Sequence, residues 1–159
     1  MKRAILLSLL LALMTGCENY NEVRANEIFS EPVAPSFVQL TFREKEFEGE
    51  FSKDELGNIS LTLNSENLPL KLSFSENSDA ACVSCEDLEV ISSSKLSPSY
   101  FLFDSFKKLA DGEIKKEGKN LIAVSSPYEA VLDEKELKIK EISFPMGKLS
   151  FLSNKENPA

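Results

Sequence analysis

From residue 37 onward the chain alternates apolar and polar residues with a period of two, and this alternation limits the fold class more than any other feature. Val38, Leu40 and Phe42 interleave with Gln39, Thr41 and Arg43, and Phe47, Gly49 and Phe51 with Glu48, Glu50 and Ser52. After a turn at Asp54-Glu55-Leu56-Gly57, Ile59, Leu61 and Leu63 alternate with Ser60, Thr62 and Asn64. A second turn over Asn64 to Asn67 leads to Leu70, Leu72 and Phe74, interleaved with Lys71 and Ser73. Successive side chains of a strand point to opposite faces, so each segment has one apolar and one wet face. Four such segments in a row predict an antiparallel meander with a single apolar side. Two shorter strands are expected from Ala80 to Cys85 and from Leu88 to Ser92.

The period then changes. Ser97 is a good N-cap with Pro98 at the first helical position, and Tyr100, Leu102, Phe103, Phe106, Leu109 and Ala110 recur at three- and four-residue spacing before Asp111-Gly112. This predicts one amphipathic helix with Asp104, Lys107 and Lys108 toward water and Phe101 on a shoulder away from the apolar stripe. Strands resume at Glu113 to Glu117, Leu121 to Ser125, Tyr128 to Leu132, Leu137 to Phe144 and Lys148 to Leu152. In the penultimate strand the apolar positions pass from odd (Leu137, Ile139) to even (Ile142, Phe144), which predicts a β-bulge near Lys140-Glu141. Two meanders and a helix must bury their apolar sides together. The expected fold is therefore mainly β (α+β), a strongly curved antiparallel sheet with one amphipathic helix packed in its concave face.

The first residues read as an address. Lys2 and Arg3 precede an uncharged apolar stretch from Ala4 to Met14, shorter than the roughly 20 residues a membrane-spanning helix needs but of signal-peptide length. It ends in Leu13-Met14-Thr15-Gly16-Cys17, which resembles the bacterial lipobox, with Met14 where Leu is usual. The resemblance implies cleavage between Gly16 and Cys17 and a diacylglyceryl group on the Cys17 thiol. It also implies an exported protein, lipid-anchored to the outer face of the bacterial cell membrane. The organisation expected is a signal peptide over 1–16, a lipidated Cys and flexible stalk over 17–36, one β-rich domain over 37–153 and a disordered tail over 154–159. The stalk reading rests on the polar run from Glu18 to Ser36, with Pro32 and Pro35 and no sustained period.

Composition removes many activities. The 159 residues include no His, so Ser-His-Asp or Cys-His catalysis and imidazole-bound zinc cannot be built. Lys and Arg number 18 against 26 Asp and Glu, a net charge of −8 that argues against a nucleic-acid partner. Loss of Lys2 and Arg3 with the signal peptide takes it to −10, which favours a head standing off an anionic bilayer. Cys82 and Cys85 leave a local disulfide, two free thiols or a redox pair open. No other Cys or His completes a zinc site with them. Glu44, Glu46, Glu48 and Glu50 alternate along one strand as a solvated face does, and neither Asn64-Ser65-Glu66-Asn67 nor Glu76-Asn77-Ser78-Asp79 has the Gly of a calcium loop. No catalytic residue, metal or cofactor is expected.

The run Phe47-Glu48-Gly49-Glu50-Phe51, Gly57-Asn58-Ile59-Ser60-Leu61-Thr62-Leu63, Glu66-Asn67-Leu68 and Leu70-Lys71-Leu72-Ser73-Phe74 resembles a set of small Firmicutes lipoproteins. These are in turn similar to the LolA/LppX lipoprotein-carrier superfamily. The likeness continues into the Leu96-Ser97-Pro98 helix start and Leu132-Asp133-Glu134 with Leu137, covering Phe37 to Phe151. It implies a half-open β-barrel covered by helical elements and enclosing an apolar cavity. The side chains expected to line that cavity are Phe42, Phe47, Phe51, Phe74, Leu102, Phe103, Phe106, Phe144 and Phe151. The function implied is non-enzymatic binding of a lipid acyl chain or other hydrophobic ligand. The alternative is a solid-core module docking a partner in the cell envelope.

Overall fold

A computed structural model describes residues 24–64, 69–92 and 95–152. A helix, α1, covers 24–30. Six strands follow: β1 (Val33–Phe42), β2 (Lys45–Lys53), β3 (Ile59–Asn64), β4 (Leu70–Ser75), β5 (Ala80–Cys85) and β6 (Leu88–Ser92). Helix α2 (Pro98–Leu109) leads to β7 (Glu113–Glu117), β8 (Asn120–Ser125), β9 (Tyr128–Asp133), β10 (Ile139–Phe144) and β11 (Gly147–Phe151). All eleven strands form one antiparallel sheet in the order β6-β5-β4-β3-β2-β1-β11-β10-β9-β8-β7. Each meander is one wing, and the wings join where β11 returns to pair with β1, Val38 opposite Phe151 and Phe42 opposite Gly147. The end strands β6 and β7 do not pair with each other, so the sheet is open.

The alternation works as expected. Val38 and Leu40 of β1, Phe51 of β2, Ile59 and Leu61 of β3 and Leu72 and Phe74 of β4 are buried, while the residues between them are not. The bulge in β10 lies where the parity changes, between Ile139 and Glu141. Gly49 is required by a close approach: a Cβ there would lie 2.1 Å from the Thr62 carbonyl oxygen. The hairpin from β1 to β2 turns through Arg43 and Glu44, both at positive φ (49° and 67°), the left-handed pair of a type I′ turn.

Helix α2 begins as predicted, the Ser97 hydroxyl accepting from the Tyr100 N–H with Pro98 at its first turn. It packs on β3 and β4 of one wing and on β8, β9 and β10 of the other. Strands β4 and β8 stand seven places apart in the sheet. At about 4.8 Å per strand a flat sheet would separate them by roughly 34 Å. A helix about 10–12 Å wide touches both wings only because the sheet curves round it.

Three expectations change. The stalk ends sooner than read, because 24–30 is helical and β1 starts at Val33. Ala25 and Phe29, one helical turn apart, are 0% and 1% exposed in the same core as the sheet. The buried stripe of α2 is rotated: Ser99, Phe101, Leu102, Ser105, Phe106 and Leu109 are buried, whereas Tyr100, Phe103 and Ala110 are half-buried. Two facing wings cover a wider arc of the helix than a single sheet face would, so Phe101 finds a partner in Phe144. Asp104 does not point to water; it accepts a hydrogen bond from the Tyr128 hydroxyl at 2.6 Å. The signal peptide, Cys17 and the tail over 154–159 lie outside the described residues. Among those described, no helix is long and apolar enough to cross a membrane.

Candidate functional site

Most of the aromatic side chains expected around a cavity meet other rings, in two groups, the second running through a Tyr100–Phe101 contact at 6.1 Å. Phe51 of β2 stacks on Phe106 of α2 with ring centres 5.7 Å apart, and Phe29 of α1 and Phe151 of β11 approach this pair edge-on at 6.1 and 5.7 Å. Phe101 stacks on Phe144 at 6.0 Å, with Phe42 tilted against Phe144 at 6.5 Å. Phe74 meets Phe103 at 4.6 Å and Tyr100 at 5.3 Å. Leu102 is fully buried among them, and Phe47 packs half-buried on the same core. The two helices thus supply rings that seat on the concave face of the sheet.

Lys53 holds α1 in place. It occupies an inward position of β2, where the alternation calls for an apolar residue, and is 7% exposed. Its ammonium donates to the main-chain oxygens of Phe29, Ser30 and Glu31 at 3.1, 3.1 and 2.8 Å, satisfying carbonyls that a helix leaves open at its C-terminal end. It also lies 5.4 Å from the centre of the Phe106 ring. Burial pushes its pKa below the ordinary lysine value, against the pull of Asp54 and Glu31 in the other direction.

A cleft of about 900 Å³ opens beside this latch, with Ile28, Val33, Phe37, Ile139, Phe151 and Leu152 among its apolar lining and Glu31, Asp133, Glu136, Lys138 and Lys140 among its charged lining. It exists because the strands end unevenly. β11 stops at Phe151, the Leu152 N–H makes a last bond to the Phe37 carbonyl at 3.0 Å, and the start of β1 continues past it. Phe37 is 53% exposed and Leu152 46% exposed at its mouth. Four of the rim charges are matched among themselves: Lys138 with Glu136 at 2.8 Å and Lys140 with Asp133 at 2.9 Å. The hydrogen bond from Lys140, helped by the main-chain N–H groups of Glu136 and Lys135, holds the Asp133 carboxyl down at about 2. Of the expected cavity residues only Phe151 reaches this cleft; Ile28, Val33, Phe37, Leu137, Ile139 and Leu152 were missed.

A second groove of about 660 Å³ runs along the outer side of α2, between Glu76 and Asp79 on one wing and Ser125 and Ser126 on the other. Phe74, Tyr100 and Phe103 form its floor. Its lysines are ion-paired, Lys95 with Asp79 at 4.0 Å, Lys107 with Glu76 at 2.8 Å and Lys108 with Asp104 at 3.2 Å. The Lys107–Glu76 pair ties the helix to the wing beside it, and the Lys108–Asp104 pair lies within the helix.

Cys82 and Cys85 are both free and both on β5, where residues three apart face opposite sides of the sheet. Burial, then the Glu89 carboxylate, raise the Cys82 thiol above its usual pKa, the reverse of what a reactive thiol needs. Among the described residues no three His, Cys, Asp or Glu side chains gather as metal ligands would. No protein-family model matches the chain, and no curated protein matches it significantly.

Proposed function

We propose that this chain is a membrane-anchored, non-enzymatic lipoprotein of LolA/LppX type, whose half-open β-barrel head shields a hydrophobic ligand such as a lipid acyl chain. The observation that carries the reading is the cleft between β1 and β10. Its volume of about 900 Å³ lies in the range of small-molecule sites, its lining is more apolar than polar, and four of its five charged residues are matched in pairs. Such a site binds by burial of apolar surface and reads little of a headgroup. Phe151 joins the cleft to the Phe51–Phe106 stack, whose rings are packed against one another.

The anchor supports the same reading. Cys17 stands seven residues before the first described residue of α1, a span of at most about 25 Å when fully extended. The cleft is thereby kept within reach of the bilayer from which an acyl chain would come.

Binding of a polyene fatty acid that fluoresces in apolar surroundings tests the proposal on the full chain. Phe37→Glu, at an exposed position, should weaken uptake at least tenfold while leaving the circular dichroism of the sheet unchanged. Absence of binding to the native chain, or equal binding by the variant, would overturn it. The alternative of a solid-core docking module is favoured by one observation, the seating of Phe29 and Phe106 on the concave face. That reading expects no fatty-acid uptake at all.

A further inference from the structure

Helix α1 forms one wall of the cleft, yet little of it is packed. Ile28 of the helix and Glu31, Pro32 and Val33 just after it line that wall. Of its side chains Ala25 and Phe29 are buried, and a segment with few buried contacts is among the first of a fold to open locally. Polar bonds hold it at both ends. Near the start the Asn26 carboxamide donates to the Gly112 carbonyl at 3.3 Å, while the oxygen of the same group is buried without a donor, a cost that opening removes. At the end the Lys53 ammonium holds the carbonyls of Phe29, Ser30 and Glu31.

Lys53 is not part of the cleft lining, but the wall depends on it. The Glu31 carbonyl that it binds belongs to a lining residue, and Val33 is fixed in the sheet directly opposite Lys53. Between them Pro32 has no N–H with which to continue the helix. Any movement of α1 therefore pivots at Glu31-Pro32, beside the latch.

We propose that α1 is the gate of the cleft and Lys53 its latch, so that a hydrophobic ligand is retained while the ammonium holds the end of the helix and escapes when the helix swings away. The inference rests on the cleft being the ligand site. Lys53 acts here as a positioning residue, through the wall and not by touching the ligand. A ligand packed on Ile28 and Val33 binds the closed wall better than the open one, and by linkage its presence favours the latched helix by the same factor.

Release of a fluorescent polyene fatty acid from the full chain, followed by stopped flow, tests the latch. Lys53→Met should release the probe at least ten times faster than the native chain, and Lys53→Arg should recover most of the retention. Leu72→Ala is the control, because it truncates a buried side chain on β4, away from the cleft, and should release the probe at the native rate. In the native chain the probe should slow amide hydrogen exchange of α1 at least tenfold. Release from Lys53→Met within twofold of the native rate would overturn the latch. So would equally fast release from Leu72→Ala, or α1 exchange that ignores a probe the native chain does take up. A native chain that takes up no probe would overturn the cleft as the ligand site, and the gate with it.

Discussion

The Lys53 ammonium donates to the Phe29 carbonyl oxygen at 3.1 Å, from a strand residue to the last turn of a helix more than twenty positions earlier. With the bonds to Ser30 and Glu31 it joins the start of the folded chain to the centre of the sheet. Replacing it leaves the buried Phe29 carbonyl and the part-buried carbonyls of Ser30 and Glu31 without their donor. Lys53→Met should lower unfolding free energy by about 2–3 kcal/mol in urea denaturation, the usual cost of orphaning buried groups bonded to a charge. Lys53→Arg should recover part of it. An unchanged midpoint for Lys53→Met would show that α1 is not latched.

Phe29 sets where the head begins. It is 1% exposed and packs edge-on to Phe106. Phe29→Ala should cost about 3–5 kcal/mol, as truncation of a buried Phe does. A chain starting at Pro35 should be at least as unstable, whereas one starting at Glu18 should match the native transition. Equal thermal midpoints for the two truncations would place α1 outside the cooperative unit.

The Tyr128 hydroxyl links α2 to β9 through Asp104. Burial first, and then the hydrogen bond to Asp104, raise its pKa well above the ordinary tyrosine value. Below pH 10 the folded and unfolded chains both hold this proton and it contributes no slope. Above pH 10 the unfolded chain releases it and the folded one keeps it, so stability falls as pH rises. Tyr128→Phe should be less stable than the native protein at pH 7 by about 1–3 kcal/mol. The gap should narrow by about 1.4 kcal/mol at pH 11, where only the native protein carries this penalty. A gap that stays constant between the two pH values would contradict the buried hydrogen bond.

Cys82 and Cys85 are free on one strand. Thiol titration of a Cys17→Ser variant, unfolded in denaturant, should therefore find two thiols with or without reductant. No thiol before reduction and two after it would mean that the strand had been bent to form a bridge.

The strands were readable because a sheet with one dry face imposes the same period on every strand, and Val38–Phe42 and Ile59–Leu63 obey it without interruption. The bulge in β10 was readable for the same reason, as a change of parity between Ile139 and Ile142. Helix α1 was not. It offers only Ala25 and Phe29 as an apolar pair in a polar run, and its place depends on Lys53, which sits in a strand and looks like a surface residue. The stripe of α2 was misjudged by part of a turn because a helix between two wings buries a broader arc than its strongest apolar row, drawing in Ser99, Phe101 and Ser105. The cleft had no local signal at all. It arises from β11 ending before β1 and β10 do, and this is a relation among three distant segments.

The most direct measurement is native mass spectrometry of the full-length protein released from membranes in mild detergent, before and after solvent extraction. The account predicts a single non-covalent lipid in stoichiometric amount, lost on extraction and regained when fatty acid is added. A clean protein mass that takes up no added lipid would contradict it.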